Sequence, residues 1–246
     1  MKKFNLYLLL IVLMFIPTLQ SCLDDDDNGY SLDNASITIA TVKKDAGSAL
    51  YFVLDNGETL WPAAALVPYQ GLENGTRIVG SFTYLSDKQN GFDHYVRLND
   101  YSTILTKDII NLTTANKDSI GDDPVRITDM WVSGDYLNVE FNMNIPSVQK
   151  HRVNLVKNTT QEYPNDGYIH LEYRYNDMND VTGYMAHSIV SFRLGDLGVD
   201  KTDKNGLKIR INSAVNGEKI ITIDYNAFRY TKSTEMMQNS VQGKVN

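Results

Sequence analysis

The chain has 246 residues and carries 23 Lys and Arg against 30 Asp and Glu, a formal net charge of −7 with no basic cluster, which argues against a nucleic-acid partner. Its single cysteine, Cys22, can form neither an internal disulfide nor a paired thiol site, so the fold must be held by its apolar core. With 42% hydrophobic and 22% charged residues, the length fits one large or two modest globular domains.

The chain opens on Lys2-Lys3, then the mainly apolar run Leu6 to Pro17, then Ser21-Cys22. A basic start, an apolar segment of roughly 7–15 residues and a small-residue cleavage region describe a secretory signal; a membrane span needs about 20 apolar residues. Residues 1–21 therefore stand apart from the fold. Leu19-Gln20-Ser21-Cys22 resembles a bacterial lipobox, which predicts cleavage before Cys22, acylation of its thiol, and a membrane partner through the lipid anchor. Asp24, Asp25, Asp26 and Asp27 follow. This acidic block resembles the export signal that carries Bacteroidetes lipoproteins to the outer face of the outer membrane. As a run of like charges it also reads as a solvated tether over residues 22–30, which leaves the periplasmic face open as the alternative location. Without Lys2 and Lys3 the count is 21 basic against 30 acidic residues, or −9.

From residue 31 the dominant period is two. Ser36 to Val42 alternates, and Leu50 to Leu54 is a short apolar run ending in Asp55-Asn56-Gly57, a hairpin turn because Asn and Gly tolerate positive φ. Thr76 to Leu85 and Phe92 to Leu105 are longer strand-like runs rich in Tyr, Val, Ile and Thr. These strands predict a small antiparallel barrel over residues 31–112. Residues 113–124, mostly polar and closed by Pro124, read as a linker. Alternation resumes in Val125 to Trp131, turns at Ser133-Gly134-Asp135, and continues through Tyr136 to Ile145, His151 to Lys157, Tyr168 to Tyr175 and His187 to Leu194. A last hairpin joins Leu207 to Ile211 and Lys219 to Tyr225 around Asn216-Gly217, so residues 125–230 read as a β-sandwich and 231–246 as a polar, frayed tail.

Ile104 to Lys107, the run Asp118 to Pro124, Trp131 to Asn138, Val190 to Leu194 and the closing strand Gly217 to Tyr225 resemble the NigD-like family of Bacteroidetes lipoproteins, over essentially the whole mature chain. The resemblance implies an OB-like N-terminal barrel and a C-terminal β-sandwich, in agreement with the strand pattern. It also implies an immunity-like role, since the family takes its name from a bacteriocin locus, and it brings no catalytic motif. The expected fold is thus all-β, an OB-like antiparallel barrel followed by a β-sandwich.

Signals for chemistry are sparse. His94, His151, His170 and His187 include no pair at helical zinc spacing, although His170 and His187 could meet across neighbouring strands. Asp200 to Gly206 resembles a calcium loop, but Lys201 stands at a ligand position, so a hairpin turn is the better reading. No nucleophile elbow, phosphate loop or dinucleotide fingerprint is present, and neither a metal nor a cofactor is expected. Glu140 and Glu172 are the candidates for a carboxylate pair of the glycosidase kind, which needs a separation of roughly 5–10 Å; as strand residues they read as outward-facing.

Binding has more material. Of 15 Tyr, 8 Phe and 2 Trp, five tyrosines cluster between Tyr163 and Tyr184, and Tyr173 and Tyr175 share one strand face that could form an aromatic binding surface. Trp61 and Trp131 are expected in the core or at a domain junction. Asp118-Ser119-Ile120 resembles the acceptor sequence for O-glycosylation of exported Bacteroidetes proteins, which makes Ser119 a candidate modification site; the plainer role is a local turn or cap. These features describe a lipid-anchored envelope protein that binds an unknown protein or glycan without catalysis, the alternative being a surface glycan-binding accessory or carbohydrate-active protein.

Overall fold

The computed structural model describes residues 34–147, 149–180 and 183–227. Cys22, Asp24, Asp25, Asp26, Asp27 and the expected tail 231–246 lie outside the described residues. The alternating segments form strands because one set of side chains can be buried while the other faces out. In β1 (Ala35–Lys44), Ala40 and Val42 point into a first core with Phe52 of β2 (Leu50–Leu54), Leu60 of β3 (Thr59–Ala65), Ile78 and Phe82 of β4 (Arg77–Ser86), and Val96 and Leu98 of β5 (His94–Asp108). All the pairings of this unit are antiparallel except the closing one, where β3 pairs with β5 in parallel and completes a five-stranded barrel. The β2–β3 turn falls at Asn56-Gly57, with Gly57 at φ 94°, as the sequence predicts.

β5 does not stop at the barrel. Its last residues, Leu105 to Asp108, pair in parallel with β11 (Met185–Arg193), which carries the same sheet on into β8 (Tyr136–Asn144) and β7 (Arg126–Ser133). A second sheet, in the order β13 (Gly217–Asp224), β12 (Gly206–Ser213), β10 (Tyr168–Asn176), β9 (Arg152–Asn158), β6 (Ile110–Leu112), packs over this half. Leu137, Val139, Phe141, Val190 and Phe192 from the first sheet meet Leu155, Leu171, Tyr173, Ile209 and Ile211 from the second in the larger core. The result is a β-sandwich fused to a barrel through one strand.

Two expectations change here. Residues 110–112, assigned to the barrel, form β6 and pair with β9 of the sandwich. Residues 113–124 are not a free linker: α1 (Lys117–Ile120) buries Ile120 against Leu112 and Val156, the Asp123 amide donates to the Tyr175 carbonyl, and Asp122 is held by two arginines. The segment is polar because it covers the outer, polar face of the second sheet, where Asp122 pairs with Arg174 and Arg210.

Candidate functional site

Where barrel and sandwich meet, the outer face of β1 and β4 turns toward the outer face of β7, β8 and β11. At the root of this junction sits Arg77, fully buried. Its guanidinium donates to both oxygens of Asp55 at 2.7 and 2.9 Å, to Thr41 Oγ1 at 3.1 Å, to Asn138 Oδ1 at 3.1 Å and to Ser191 Oγ at 3.2 Å, and lies 3.7 Å from the Tyr136 ring centroid. Thr41 and Asp55 belong to the barrel, and Tyr136, Asn138 and Ser191 to the sandwich, so one planar cation with five donors ties the two halves together. Beside it, Gly134 (φ 55°) in the β7–β8 turn lets that turn approach Asp55 closely: a Cβ there would stand 3.1 Å from the Asp55 carbonyl oxygen. Asn138 Nδ2 is buried with no hydrogen-bond partner among the described residues.

Above Arg77 the junction opens into a cleft of about 450 Å³, within the range of about 300–1,000 Å³ typical of ligand sites. The barrel wall is made by Ile37, Thr38, Ile39 and Val79 and by the turn Leu54 to Asn56. The sandwich wall is made by Trp131, Ser133, Glu140 and Ile189. The walls are polar and apolar in about equal measure, with two carboxylates. Asp55 is neutralised by Arg77, whereas Glu140, its side chain 34% exposed, has His187 Nε2 at 3.3 Å as its ion-pair partner and no Lys or Arg among the described residues. His187 in turn lies 3.5 Å from Thr128 Oγ1.

The residues singled out from sequence are distributed differently. Tyr173 and Tyr175 do share a strand face, but that face is the core: they are 1% and 4% exposed and pack edge-on against Phe141, so they form no binding surface. Burial pushes the Tyr175 hydroxyl up to about 12, and that hydroxyl lies 2.6 Å from His151 Nδ1. Glu172 also departs from expectation, because it is buried rather than outward in water. It accepts hydrogen bonds from Asn158 at 2.9 Å, Gln161 at 3.1 Å, Tyr163 at 2.8 Å and Arg174 at 2.7 Å. Burial alone would raise its carboxyl; the bonds from Asn158, Tyr163 and Arg174 outweigh it and hold the group below the ordinary glutamate value.

Glu140 and Glu172 cannot act as a pair. Each lies on the strand face turned away from the sandwich core, one on each sheet, with two sheets' thickness of side chains between them. His170 and His187 are likewise on different sheets: His170 bonds Asp166 at 3.0 Å while His187 is the ion-pair partner of Glu140. Trp61 packs tilted against Phe92 at 4.9 Å between centroids, and Trp131 stands at the junction. Ser119 is exposed on α1 with its hydroxyl donating to the Asn116 carbonyl at 2.9 Å. Among the described residues no group of three or more His, Cys, Asp or Glu side chains could hold a metal ion. Arg77 gave no sequence signal, since a lone arginine opening a strand reads as a surface residue.

A closed OB-type barrel joined by a shared strand to a β-sandwich defines a two-unit all-β scaffold with its cleft at the seam. The NigD-like N-terminal OB domain model matches residues 39–104 and the NigD-like C-terminal beta sandwich domain model residues 108–225, and the chain belongs to the NigD-like family. Among solved structures, it is similar to a protein of unknown function from Bacteroides vulgatus, with 42% identity, TM-score 0.75, and 78% of this chain and 91% of that one covered. It is similar also to a protein of Parabacteroides distasonis whose name relates it to toxins, with 28% identity, TM-score 0.66 and coverages of 84% and 99%. A NigD-like immunity protein from Bacteroides caccae shares the fold at 17% identity and TM-score 0.57, with 79% and 94% covered. No curated protein matches the chain.

Proposed function

We propose that this chain is a lipid-anchored protein of the cell envelope that holds a protein partner in the junction cleft without changing it chemically, in the manner of an immunity protein. It works at the outer membrane, on the cell surface, tethered by acylated Cys22 and exported through Asp24, Asp25, Asp26 and Asp27, and it uses no cofactor. The observation that carries the reading is the cleft itself, whose walls offer apolar shape and one acidic group, Glu140, on a junction fixed by Arg77. Membership of the NigD-like family supports the immunity-like class. The glycan-binding alternative loses its exposed aromatic row with the burial of Tyr173 and Tyr175, and among the described residues the cleft is lined by one aromatic ring, that of Trp131.

The test pairs location with function. Protease treatment of intact cells is expected to remove the protein; survival until lysis would place it on the periplasmic face instead. Deletion of the gene is expected to sensitise cells to a secreted antibacterial protein, with rescue by the unmodified chain and not by Trp131→Ala. Unchanged sensitivity to every co-resident strain's secretions would refute the immunity-like role. Ser119, exposed on α1, is proposed as an O-glycan site, and an intact-mass measurement of the native protein against Ser119→Ala checks it.

A further inference from the structure

The cleft has a feature beyond its side chains. The last β1–β2 pair is Ala40 with Leu54, so from Ala35 to Ile39 strand β1 is paired, among the described residues, with β4 alone. The Val42 amide donates to the Thr76 carbonyl of the strand leading into β4. By the alternation of an antiparallel ladder, Ala40, Thr38 and Ser36 then turn their backbone groups to β4, and Ile37 turns its N–H and C=O the other way. That free edge, roughly 13 Å long at about 3.3 Å per residue, lies where Ile37 to Ile39 line the cleft beside the turn Leu54 to Asn56. Ile37 itself is 76% exposed. An unpaired strand edge facing a wall that offers apolar side chains, here Trp131 and Ile189, is a template for one more strand.

We propose that the cleft takes an extended segment of a partner protein as an added strand on the free edge of β1, and that this segment carries apolar side chains and a lysine or arginine. The proposal rests on the binding role above and names what is bound. The edge supplies main-chain pairing at Ile37. Trp131 and Ile189 on the opposite wall supply an apolar surface for alternate side chains of the segment. The carboxylate of Glu140, matched among the described residues by an imidazole rather than by a lysine or arginine, selects a cation, and the net charge of −9 that remains without Lys2 and Lys3 steers basic partners toward the chain.

The test is selection of a random short-peptide library on the full chain. Enriched peptides are expected to alternate apolar residues and to carry Lys or Arg. Their affinity should fall about tenfold more for Ile37→Pro than for Ile37→Ala, because only proline removes the edge N–H, and that N–H makes no bond to β4. Glu140→Gln should weaken binding of the basic peptides at least threefold and leave neutral analogues unaffected. In the unmodified chain, bound peptide should slow hydrogen exchange at the Ile37 amide, a readout that needs no variant to fold. Equal binding by the two Ile37 variants, enrichment of acidic peptides, or no peptide enrichment overturns the proposal. So does a dimer that Ile37→Pro converts to monomer, which would put a second copy at the edge. Peptide binding with no protection phenotype refutes the immunity-like role alone; protection that needs Trp131 but ignores Ile37→Pro refutes the added strand alone.

Discussion

Arg77→Met tests what holds the two halves together. The substitution keeps the aliphatic stem and removes a guanidinium that donates to Asp55, Thr41, Asn138 and Ser191. Removing one partner of a buried ion pair costs about 3–5 kcal/mol, because the other is left uncompensated. Asp55 keeps 11% side-chain exposure, so water can solvate part of its charge and the cost belongs near the lower end, about 3 kcal/mol. For a folded unit of this size roughly 2–4 °C of melting temperature follow each kcal/mol, so thermal unfolding by circular dichroism should shift down by about 6–12 °C. Adding Asp55→Asn removes the stranded charge, and the double variant should recover at least half of the loss. A melting temperature within about 2 °C of the unmodified protein for Arg77→Met would refute the view that this cation joins barrel to sandwich.

Gly80→Ala should destabilise by about 1–3 kcal/mol in urea unfolding, because the new methyl would stand 2.4 Å from the ring of Phe82, itself fully buried against Phe52. Glu172 contributes stability that is fully present above its unfolded value near 4.5 and is lost as pH falls through its lower folded value, so the urea midpoint should drop below pH 4.5. Glu172→Gln, less stable at neutral pH, should show a flatter dependence in that window. Tyr175→Phe should cost about 1 kcal/mol, measured by urea unfolding, through the lost bond to His151, and should leave any partner affinity unchanged because the ring is in the core. Trp131→Ala should do the reverse, keeping the unfolding free energy from urea titration within about 1 kcal/mol of the unmodified protein while abolishing binding.

Much of the architecture is legible because a strand with one buried face must alternate. Ser36 to Val42 and the turns at Asn56-Gly57 and Asn216-Gly217 announce β1, the β2–β3 turn and the β12–β13 turn from local chemistry alone. β3 is less legible: Thr59 to Ala65 contains Pro62 and three alanines, weak strand formers. It is a strand because it closes the barrel on β5, with a register shift between Pro62 and Ala64 that accommodates the proline. For Tyr173 and Tyr175, alternation says that they share a face but not which face is wet. Leu171, at the same parity, was the available signal for the core. Glu172 and Arg174, polar and yet buried, depend on Asp122 and Tyr163 folding over the second sheet, an event of tertiary structure that no local pattern encodes. The cleft is of the same kind, since Ile37 and Trp131 come to face one cleft only after β5 has joined the barrel to the sandwich.

The sharing of β5 restricts how this chain can vary by descent. His94 to Asp108 serve two units at once: Val96 and Leu98 are fastened in the barrel core, while Leu105 to Asp108 hold the register of β11 in the sandwich. A recombination point placed within it must preserve strand length and phase, because an insertion of one residue would turn the later side chains to the opposite face. Loops can drift and the cleft walls can change residue by residue to follow a changing partner. The two halves, by contrast, are inherited as one piece, and a shuffled relative that retained either half would have to carry this strand with it.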